Sequence, residues 1–187
     1  VLVNGRFSAA MSRLSGLPAA VSLQSVNTAL RDNPSILETR LGKAVGNDEH
    51  SLVAFNSAWF ADGVVIEIAA NQRLAKPLQI LHVVTSPDAL AASRNLFVLE
   101  QGAEAEIVET YIGSAAGYFS AAVNECFLEQ NAGLTLYKMQ VEADKACHFG
   151  DTYVKQARDS RLQHHNFAFG GLLARTGGAG RHQGGET

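Results

Sequence analysis

The sequence contains three similar eleven-residue segments, and these constrain the fold more than any other feature. They read LEQGAEAEIVE from Leu99 to Glu109, LEQNAGLTLYK from Leu128 to Lys138, and VKQARDSRLQH from Val154 to His164. They begin at positions 99, 128 and 154, so the two intervals between them are similar. A repeat of this length is typical of a solenoid, because one such unit cannot bury its apolar face without a neighbour.

An alignment of the three segments without gaps predicts stacked ladders of like residues. The predicted ladders are Leu99, Leu128 and Val154; Gln101, Gln130 and Gln156; a turn of Gly102, Asn131 and Ala157; and Ile107, Leu136 and Leu162. The repeating unit holds short β-type runs and turns but no helix of its own, which excludes ankyrin and tetratricopeptide repeats and favours a β-helix. The alternative is a β-sandwich in which the likeness of the strands is coincidental.

The same register places several polar residues. Glu109, Lys138 and His164 fall in one ladder, which we expect to be charged and solvated. Cys126 is expected to stack on Thr152, so Cys126 and Cys147 do not share a ladder.

The chain divides into three parts. Residues 1–62 are predicted to be a mainly helical N-terminal region, residues 63–175 a partial β-helix core, and residues 176–187 a glycine-rich disordered tail, which lacks the apolar residues needed to offset its ordering entropy. In the first part, VNGRFS (Val3 to Ser8) predicts a polar turn between short extended pieces. Apolar spacing predicts three helices there: one after Ser22 that stops near Asn33-Pro34, one over Ile36 to Val45 that stops at Gly46-Asn47, and one over Leu52 to Phe60 capped by Ser51.

Composition excludes several classes of protein. The 187 residues are 47% hydrophobic and 18% charged with a net charge of −3, which leaves no basic excess for binding nucleic acid. No apolar run approaches the ~20 residues that span a bilayer, so no membrane association is expected. The two cysteines, Cys126 and Cys147, do not make a disulfide framework, and this favours a reducing cytoplasm.

Candidate catalytic and metal-binding residues are few, and we predict neither a catalytic residue nor a metal site. Adjacent residues on a strand point to opposite faces, so neither His164-His165 nor Cys147-His148 is expected to chelate one ion. The two cysteines are instead expected to be small, half-buried hydrophobes.

Turns and packing account for the other candidates. Asp159 and Ser160, within ARDSR, suit a turn, and Gly170-Gly171 indicates a bend or bulge. The aromatic residues Trp59, Phe60, Tyr118 and Phe119 are expected to be core or stacking residues.

The two ends of a β-helix need cover, since exposed strand edges pair with other chains. We expect the helical N-terminal region to cap one end. The other end, near Phe167 to Leu173, has no evident cover. It predicts either missing sequence or a partner, including a second copy in a homodimer.

Five segments resemble the SufB/SufD family of the SUF iron–sulfur cluster assembly system. They are VNGRFS, Phe55 to Leu81, Ser93 to Gly113, Tyr118 to Gln140, and His148 to Thr176, and together they span roughly Val1 to Thr176 in order. The NGRFS opening and the FADG segment are more similar to the SufD branch than to SufB. After Thr176 the glycine-rich run departs from the family pattern, which favours truncation over a minimal form of the protein.

The resemblance implies a right-handed parallel β-helix between helical N-terminal and C-terminal regions. It implies a scaffold subunit, itself not an enzyme, that pairs with a SufB-like protein and binds a SufC-like ATPase. The whole complex would build an iron–sulfur cluster and use FADH2 and ATP, with no cofactor bound by this chain alone. The histidine usually implicated in SufD lies beyond the matching region, so no residue here inherits its role, and His182 is not its counterpart.

Two other functions remain open at this point. A β-helix enzyme of the pectate-lyase kind needs clustered acidic residues for calcium and a basic residue beside the substrate. The acidic residues here are scattered, and Asp159 has no acidic neighbour in its predicted ladder. The other alternative is an interaction module that has no role with metals.

Overall fold

The structure, a computed structural model, describes residues 1–45 and 50–182. Within these ranges the chain forms three short helices and twelve strands. The helices are α1 (Val26–Asp32), α2 (Pro34–Arg40) and α3 (Ser51–Trp59). The strands are β1 (Leu2–Val3), β2 (Arg6–Phe7), β3 (Val21–Ser25), β4 (Val64–Ile68), β5 (Leu78–Val84), β6 (Leu90–Leu99), β7 (Glu104–Gly113), β8 (Phe119–Leu128), β9 (Gly133–Val141), β10 (Cys147–Gln156), β11 (Arg161–Ala168) and β12 (Leu173–His182).

From β4 onward the strands alternate between two parallel sheets. One sheet, called sheet A here, has the order β11-β9-β7-β5-β1-β2, and the other, sheet B, has the order β12-β10-β8-β6-β4-β3. Among the described strands, only the β1–β2 and β3–β4 pairs are antiparallel. Each coil contributes one strand to each sheet, and about four such coils stack, so the predicted β-helix is confirmed.

Residues with a left-handed backbone mark the same corner of each coil. Asn71, Gly102, Asn131 and Asp159 have φ angles of 57°, 67°, 60° and 60°. Glycine, asparagine and aspartate tolerate this conformation best. This ladder aligns Asp159, and not the predicted Ala157, with the other turn residues.

The predicted register is right for the first two segments and wrong by two positions for the third. Leu99 pairs with Leu128, as expected, but Leu128 pairs with Gln156. The ladders predicted for Val154, Gln156 and Leu162 are therefore wrong.

The polar register changes with it. Cys126 pairs with Val154 and not with Thr152. His164 pairs with Leu136, and Asn166 takes the predicted place of His164 beside Lys138.

The space between the sheets, called the lumen here, has an apolar side that runs through the stacked coils. Alternate residues of each strand point inward and stack coil on coil. Fully buried examples are Ile66 and Phe97 on sheet B and Ile107 and Leu136 on sheet A.

The helices cover the outer face of sheet B. Val26, Ala29 and Val53 pack with Val65 and Phe127 in a second apolar cluster. The outer face of sheet A carries no such layer among the described residues, and Met139, Val141 and Phe167 are exposed there. The helices therefore lie along the side of the β-helix, and the expected cover of one end comes from the strands of the N-terminal region rather than from its helices.

The strands β1 to β3 also correct the prediction of a mainly helical region over 1–62. Leu23 lies in β3, which pairs with β4, so α1 begins at Val26 and not directly after Ser22. Ser25 caps α1 by accepting a hydrogen bond from the Thr28 backbone N–H.

The other two predicted helices are present, but the second ends at Arg40 and does not reach Val45. Its predicted end at Gly46-Asn47 lies outside the described residues. The third helix is capped by His50 and not by Ser51.

The glycine-rich segment is a strand as far as His182, which corrects the expectation of a disordered tail for residues 176–182. It pairs with β10 throughout, from Cys147↔Leu173 to Gln156↔His182. Backbone hydrogen bonds form this ladder without any need for side chains. A Cβ at Gly178 would lie 2.0 Å from the Thr152 carbonyl oxygen, so glycine is required there for the strands to approach. Residues 183–187 lie outside the described part.

The two ends of the β-helix differ. Strands β1 to β3 join the first end, where Leu17 and Leu23 pack against the lumen core. At the other end β11 and β12 are the outermost strands, and the region around them exposes Phe167, Phe169, Leu172 and Leu173. We call this the open end.

Candidate functional site

Toward the C-terminal ends of the sheet A strands, the inward-facing residues of the lumen change from apolar to polar, from the first coil onward. His82 on β5, Glu109 and Tyr111 on β7, Lys138 on β9 and His148 on β10 are all buried there. Strand alternation explains why: Glu109 and Lys138 each lie two positions after an inward-facing ladder residue, Ile107 or Leu136. The expectation that Glu109 and Lys138 are solvated is therefore wrong, because both point into the lumen.

Glu109 is the best-bonded group of this polar lumen. Its carboxylate accepts hydrogen bonds from the Asn124 side chain, from Asn95 Nδ2 at 3.3 Å and from the Tyr111 hydroxyl at 3.2 Å. His82 Nε2 lies 3.5 Å from Glu109 Oε1. Burial raises the pKa of Glu109, but the His82, Lys138 and Asn124 side chains outweigh burial and hold that pKa below its ordinary value.

Lys138 is the one lysine buried in the described part of the chain. Its ammonium lies 5.1 Å from the centre of the Tyr111 ring. Burial lowers the pKa of Lys138 to about 8, against the opposing effect of Glu109, Asp151 and Glu142. The amine therefore changes charge close to neutral pH.

A second carboxylate, Glu142, lies at the other side of the network. Its Oε2 is 2.8 Å from His148 Nδ1 and accepts a hydrogen bond from Gln140 Nε2 at 3.2 Å. Burial is the main cause that lowers the pKa of His148, and Glu142 opposes it. Burial first raises the pKa of Glu142, but His148, Gln140 and Tyr118 lower it overall.

Several buried atoms of the network lack a well-aligned hydrogen-bond partner among the described residues. They are His82 Nε2, Tyr118 Oη, Gln140 Oε1 and both ring nitrogens of His148. His148 Nδ1 lies 2.8 Å from Glu142 Oε2, but the two groups are not aligned as in a regular hydrogen bond. Buried polar atoms without a hydrogen-bond partner are rare in folded proteins, and here several of them lie in the polar part of the lumen.

The network consists of acids and bases that can hold and exchange protons. In residues 1–45 and 50–182 no three metal-binding side chains converge. Cys126 is buried in the lumen, where desolvation raises the pKa of its thiol well above the ordinary value and leaves it protonated. Cys147 is half-buried and forms no disulfide.

A cavity of about 380 Å³ lies between β11 and β12 at the open end. Thr152, Val154, His164 and Asn166 line it together with the glycines of β12, whose missing side chains leave the space open. Partial desolvation by the cavity walls lowers the pKa of His164, although the residue as a whole is exposed.

The adjacent residues Cys147-His148 and His164-His165 point in different directions in the structure. His148 is buried whereas Cys147 is half-exposed, and the His165 ring stacks on Tyr137 at 5.0 Å on the outer face while His164 lines the cavity. The prediction of opposite faces is confirmed for both pairs.

The turn and aromatic predictions have mixed outcomes. Asp159 and Ser160 form a turn, in which the Ser160 hydroxyl donates to the Ala157 carbonyl oxygen. Trp59, expected in the core or in a stack, is 62% exposed, and that expectation is wrong. Phe119 stacks on Phe149, as expected of a stacking residue.

Two family sequence profiles match this chain. The sequence profile of the SUF system FeS cluster assembly, SufBD core domain, matches residues 82–187, and that of the SufBD protein N-terminal region matches residues 1–80. The chain belongs to the SufBD family. The core-domain match continues through the glycine-rich segment to residue 187. It does not support the expected departure from the family pattern after Thr176.

Three relatives carry the same family name. Iron-sulfur cluster assembly SufBD family protein slr0076 of Synechocystis sp. is 29% identical over 187 residues, which cover 94% of this chain and 41% of that protein. SufBD family protein ABCI9 of Arabidopsis thaliana is 31% identical over 111 residues, covering 58% of this chain and 24% of the relative. Chloroplastic ABCI8 of Arabidopsis thaliana is 31% identical over 85 residues, covering 46% and 15%. The SufBD chain thus spans less than half the length of each relative.

No helix among the described residues is long and apolar enough to cross a membrane. The longest of them, α3, runs only from Ser51 to Trp59.

Proposed function

We propose that this SufBD family chain is a SufD-like scaffold subunit for iron–sulfur cluster assembly in the cytoplasm. It acts together with a SufB-like protein and a SufC-like ATPase and has no enzymatic activity of its own. The NGRFS opening supports the SufD branch, and the two cysteines without a disulfide suit a reducing compartment. The cluster is the product of the whole complex, and no resident cofactor is assigned to this chain.

The open end is the observation that carries this proposal. Its outermost strands, β11 and β12, present unpaired backbone groups. Phe169 and Leu172 beside them are 67% and 72% exposed. Edges of this kind pair readily with a strand of another chain, and exposed apolar patches mark sites of protein contact. The contact we assign to this end is therefore a SufB-like subunit or, in its absence, a second copy of the chain.

Co-purification tests the proposal. The tagged chain should retain a SufB-like and a SufC-like protein expressed with it, and the double variant Phe169→Lys/Leu172→Lys should lose the SufB-like protein. The control Trp59→Lys, an equally exposed apolar residue on α3, should retain it. A folded sample that retains neither partner would overturn the proposal.

An interaction module without a role in cluster assembly is the second candidate. The lack of three converging metal ligands in the described residues favours it. The two candidates differ in one measurement: a scaffold subunit raises the yield of cluster, read as visible absorbance of the purified complex, whereas a bare interaction module leaves that yield unchanged.

A further inference from the structure

A carboxylate, an imidazole and an amine lie in sequence across the polar lumen. Glu142 Oε2 is 2.8 Å from His148 Nδ1. The other ring nitrogen, Nε2, faces the space left by the missing side chain of Gly150. A Cβ at Gly150 would lie 2.8 Å from His148 Nε2 and 1.6 Å from Lys138 Nζ. The imidazole and the amine therefore meet at one small hollow.

Buried polar atoms of this kind normally have a partner, and both ring nitrogens of His148 lack a well-aligned one among the described residues. The neighbouring carboxylate favours a proton on Nδ1, which leaves Nε2 as the acceptor. The nearest source of a proton for Nε2 is the ammonium of Lys138.

Charged and titratable groups surround this pair on every strand packed against it. His82 lies on β5, Glu109 and Tyr111 on β7, and Asp151 on β10, the strand that also carries His148. Glu142 follows β9, and His164 on β11 lies on the side of the open end.

The polar lumen therefore holds more acidic than basic charge when both imidazoles are neutral. Glu109 and Glu142 are two carboxylates, and Lys138 is one ammonium. A second proton in this lumen would balance the charge, and the His148 imidazole, between Glu142 and Lys138, is placed to take it up.

We propose that Glu142, His148 and Lys138 form a proton relay that exchanges protons with the cavity at the open end. The proton leaves Lys138 Nζ and bonds to His148 Nε2, while the Nδ1 proton stays directed at Glu142. One N–H bond breaks and one forms, so the charge of the array is unchanged until His148 releases its proton to solvent water from the cavity and Lys138 regains one from water. Asn166 pairs with Lys138 in the next coil and lines that cavity, which places the relay one strand spacing below it.

The acid strength of the amine suits this role. Burial lowers the pKa of Lys138 to about 8, so the amine releases and regains a proton within the range of ordinary cellular pH. The relay rests on contacts inside this chain alone. It can therefore fail without affecting the proposed scaffold function, and the reverse also holds.

Lysine titration by NMR is the first test on the full chain. The other lysines, Lys43, Lys76, Lys145 and Lys155, are exposed or half-buried. The Lys138 side-chain signal should titrate about two pH units below theirs. It should be missing in Lys138→Gln and present in the control Lys145→Gln. A Lys138 signal that titrates together with the other four would overturn the proposal.

The exchange rate of the Lys138 Nζ protons with water is the second test, and a merely structural role of His148 would not change it. His148→Gln should slow the exchange at least tenfold, because the base that accepts the proton is gone. His165→Gln, on the outer face of sheet A, should leave the rate unchanged. Asn166→Ala should speed the exchange by opening the route to the cavity.

Near-UV circular dichroism establishes that each variant is folded. If His148→Gln does not fold, Glu142→Gln takes its place: it keeps the imidazole but removes the carboxylate behind Nδ1, and should also slow the exchange. A folded variant of either kind that exchanges at the wild-type rate would overturn the relay.

Discussion

The guanidinium of Arg94 lies 2.8 Å from the carboxylate of Glu125, and neither side chain is more than 2% exposed. Glu125 also accepts hydrogen bonds from the backbone N–H groups of Gly42, at 2.8 Å, and Ala44, at 2.9 Å. Arg94 in turn donates to Asn56 on α3. This buried ion pair on the outer face of sheet B therefore connects the β-helix to the helical layer.

Glu125→Gln should lower the free energy of unfolding by about 3–5 kcal/mol, because the Arg94 charge would remain buried without its counter-charge. Urea unfolding at pH 7 measures the loss. The matched control is Glu129→Gln, which breaks the half-exposed pair with Arg40 and should cost at most about 1 kcal/mol. Equal losses in the two variants would contradict the role given to Glu125.

Gly150→Ala should destabilise the protein by about 1–3 kcal/mol, since the added methyl group occupies the hollow that receives the Lys138 amine. The double variant Gly150→Ala/Lys138→Ala should lose less stability than the two single variants lose in sum. Denaturant melts of the wild type, the two single variants and the double variant give this coupling free energy. Gly117→Ala serves as control because the nearest atom to its Cβ is 3.6 Å away. Strict additivity of Gly150→Ala and Lys138→Ala would show that the two positions do not compete for space.

The stability of the wild-type chain relative to Lys138→Met should rise with pH above about pH 8. The folded pKa of Lys138, about 8, lies below the ordinary value of 10.5. Between these values the unfolded chain holds a proton that the folded chain lacks, and stability then increases with pH. The full gain is on the order of 3 kcal/mol, reached near pH 10.5. Thermal melts from pH 7 to 10 measure this gain in stability. The exposed control Lys145→Met should follow the wild type at every pH. A difference between wild type and Lys138→Met that stays constant with pH would contradict the lowered pKa of Lys138.

In the absence of other subunits the chain should form dimers through the open end. Light scattering across a concentration series should show the molar mass doubling for the wild type and for Trp59→Lys, a variant on the helical side. Phe169→Lys/Leu172→Lys should remain monomeric, since charges would then lie where apolar side chains are 67% and 72% exposed. A monodisperse monomer of the wild type at high concentration would rule out this dimer.

The β-helix could be predicted from sequence because its coils repeat. The register of the third repeat, however, could not be predicted from residue identities in the alignment. Gln156 matches Gln101 and Gln130 in the alignment, yet it pairs with Leu128. The better guide was backbone conformation. Asn131 and Asp159 both suit a left-handed turn, and aligning them gives the observed pairing.

The polar lumen was partly within reach of sequence reasoning. Strand alternation places Lys138 on the same face as the buried Leu134 and Leu136, so its inward direction could be inferred. The partnership of Lys138 with His148 could not. The two residues lie on facing sheets, and they meet only because Gly150 has no side chain, a matter of packing that no local pattern records.

The stacking of coils also limits how a chain of this kind can change length. Inserting one residue in the turn before β9 would reverse the direction of every later side chain on that strand, exposing Leu134 and Leu136 and withdrawing Lys138 from the lumen. Removing or adding a whole coil, such as the one that runs from Leu99 to its partner Leu128, would preserve both the alternation and the corner residues. Changes of length at this corner are therefore expected to come as whole coils, whereas other loops absorb single residues: Leu99 to Leu128 spans 29 positions (128 − 99) and Leu128 to Gln156 spans 28 (156 − 128).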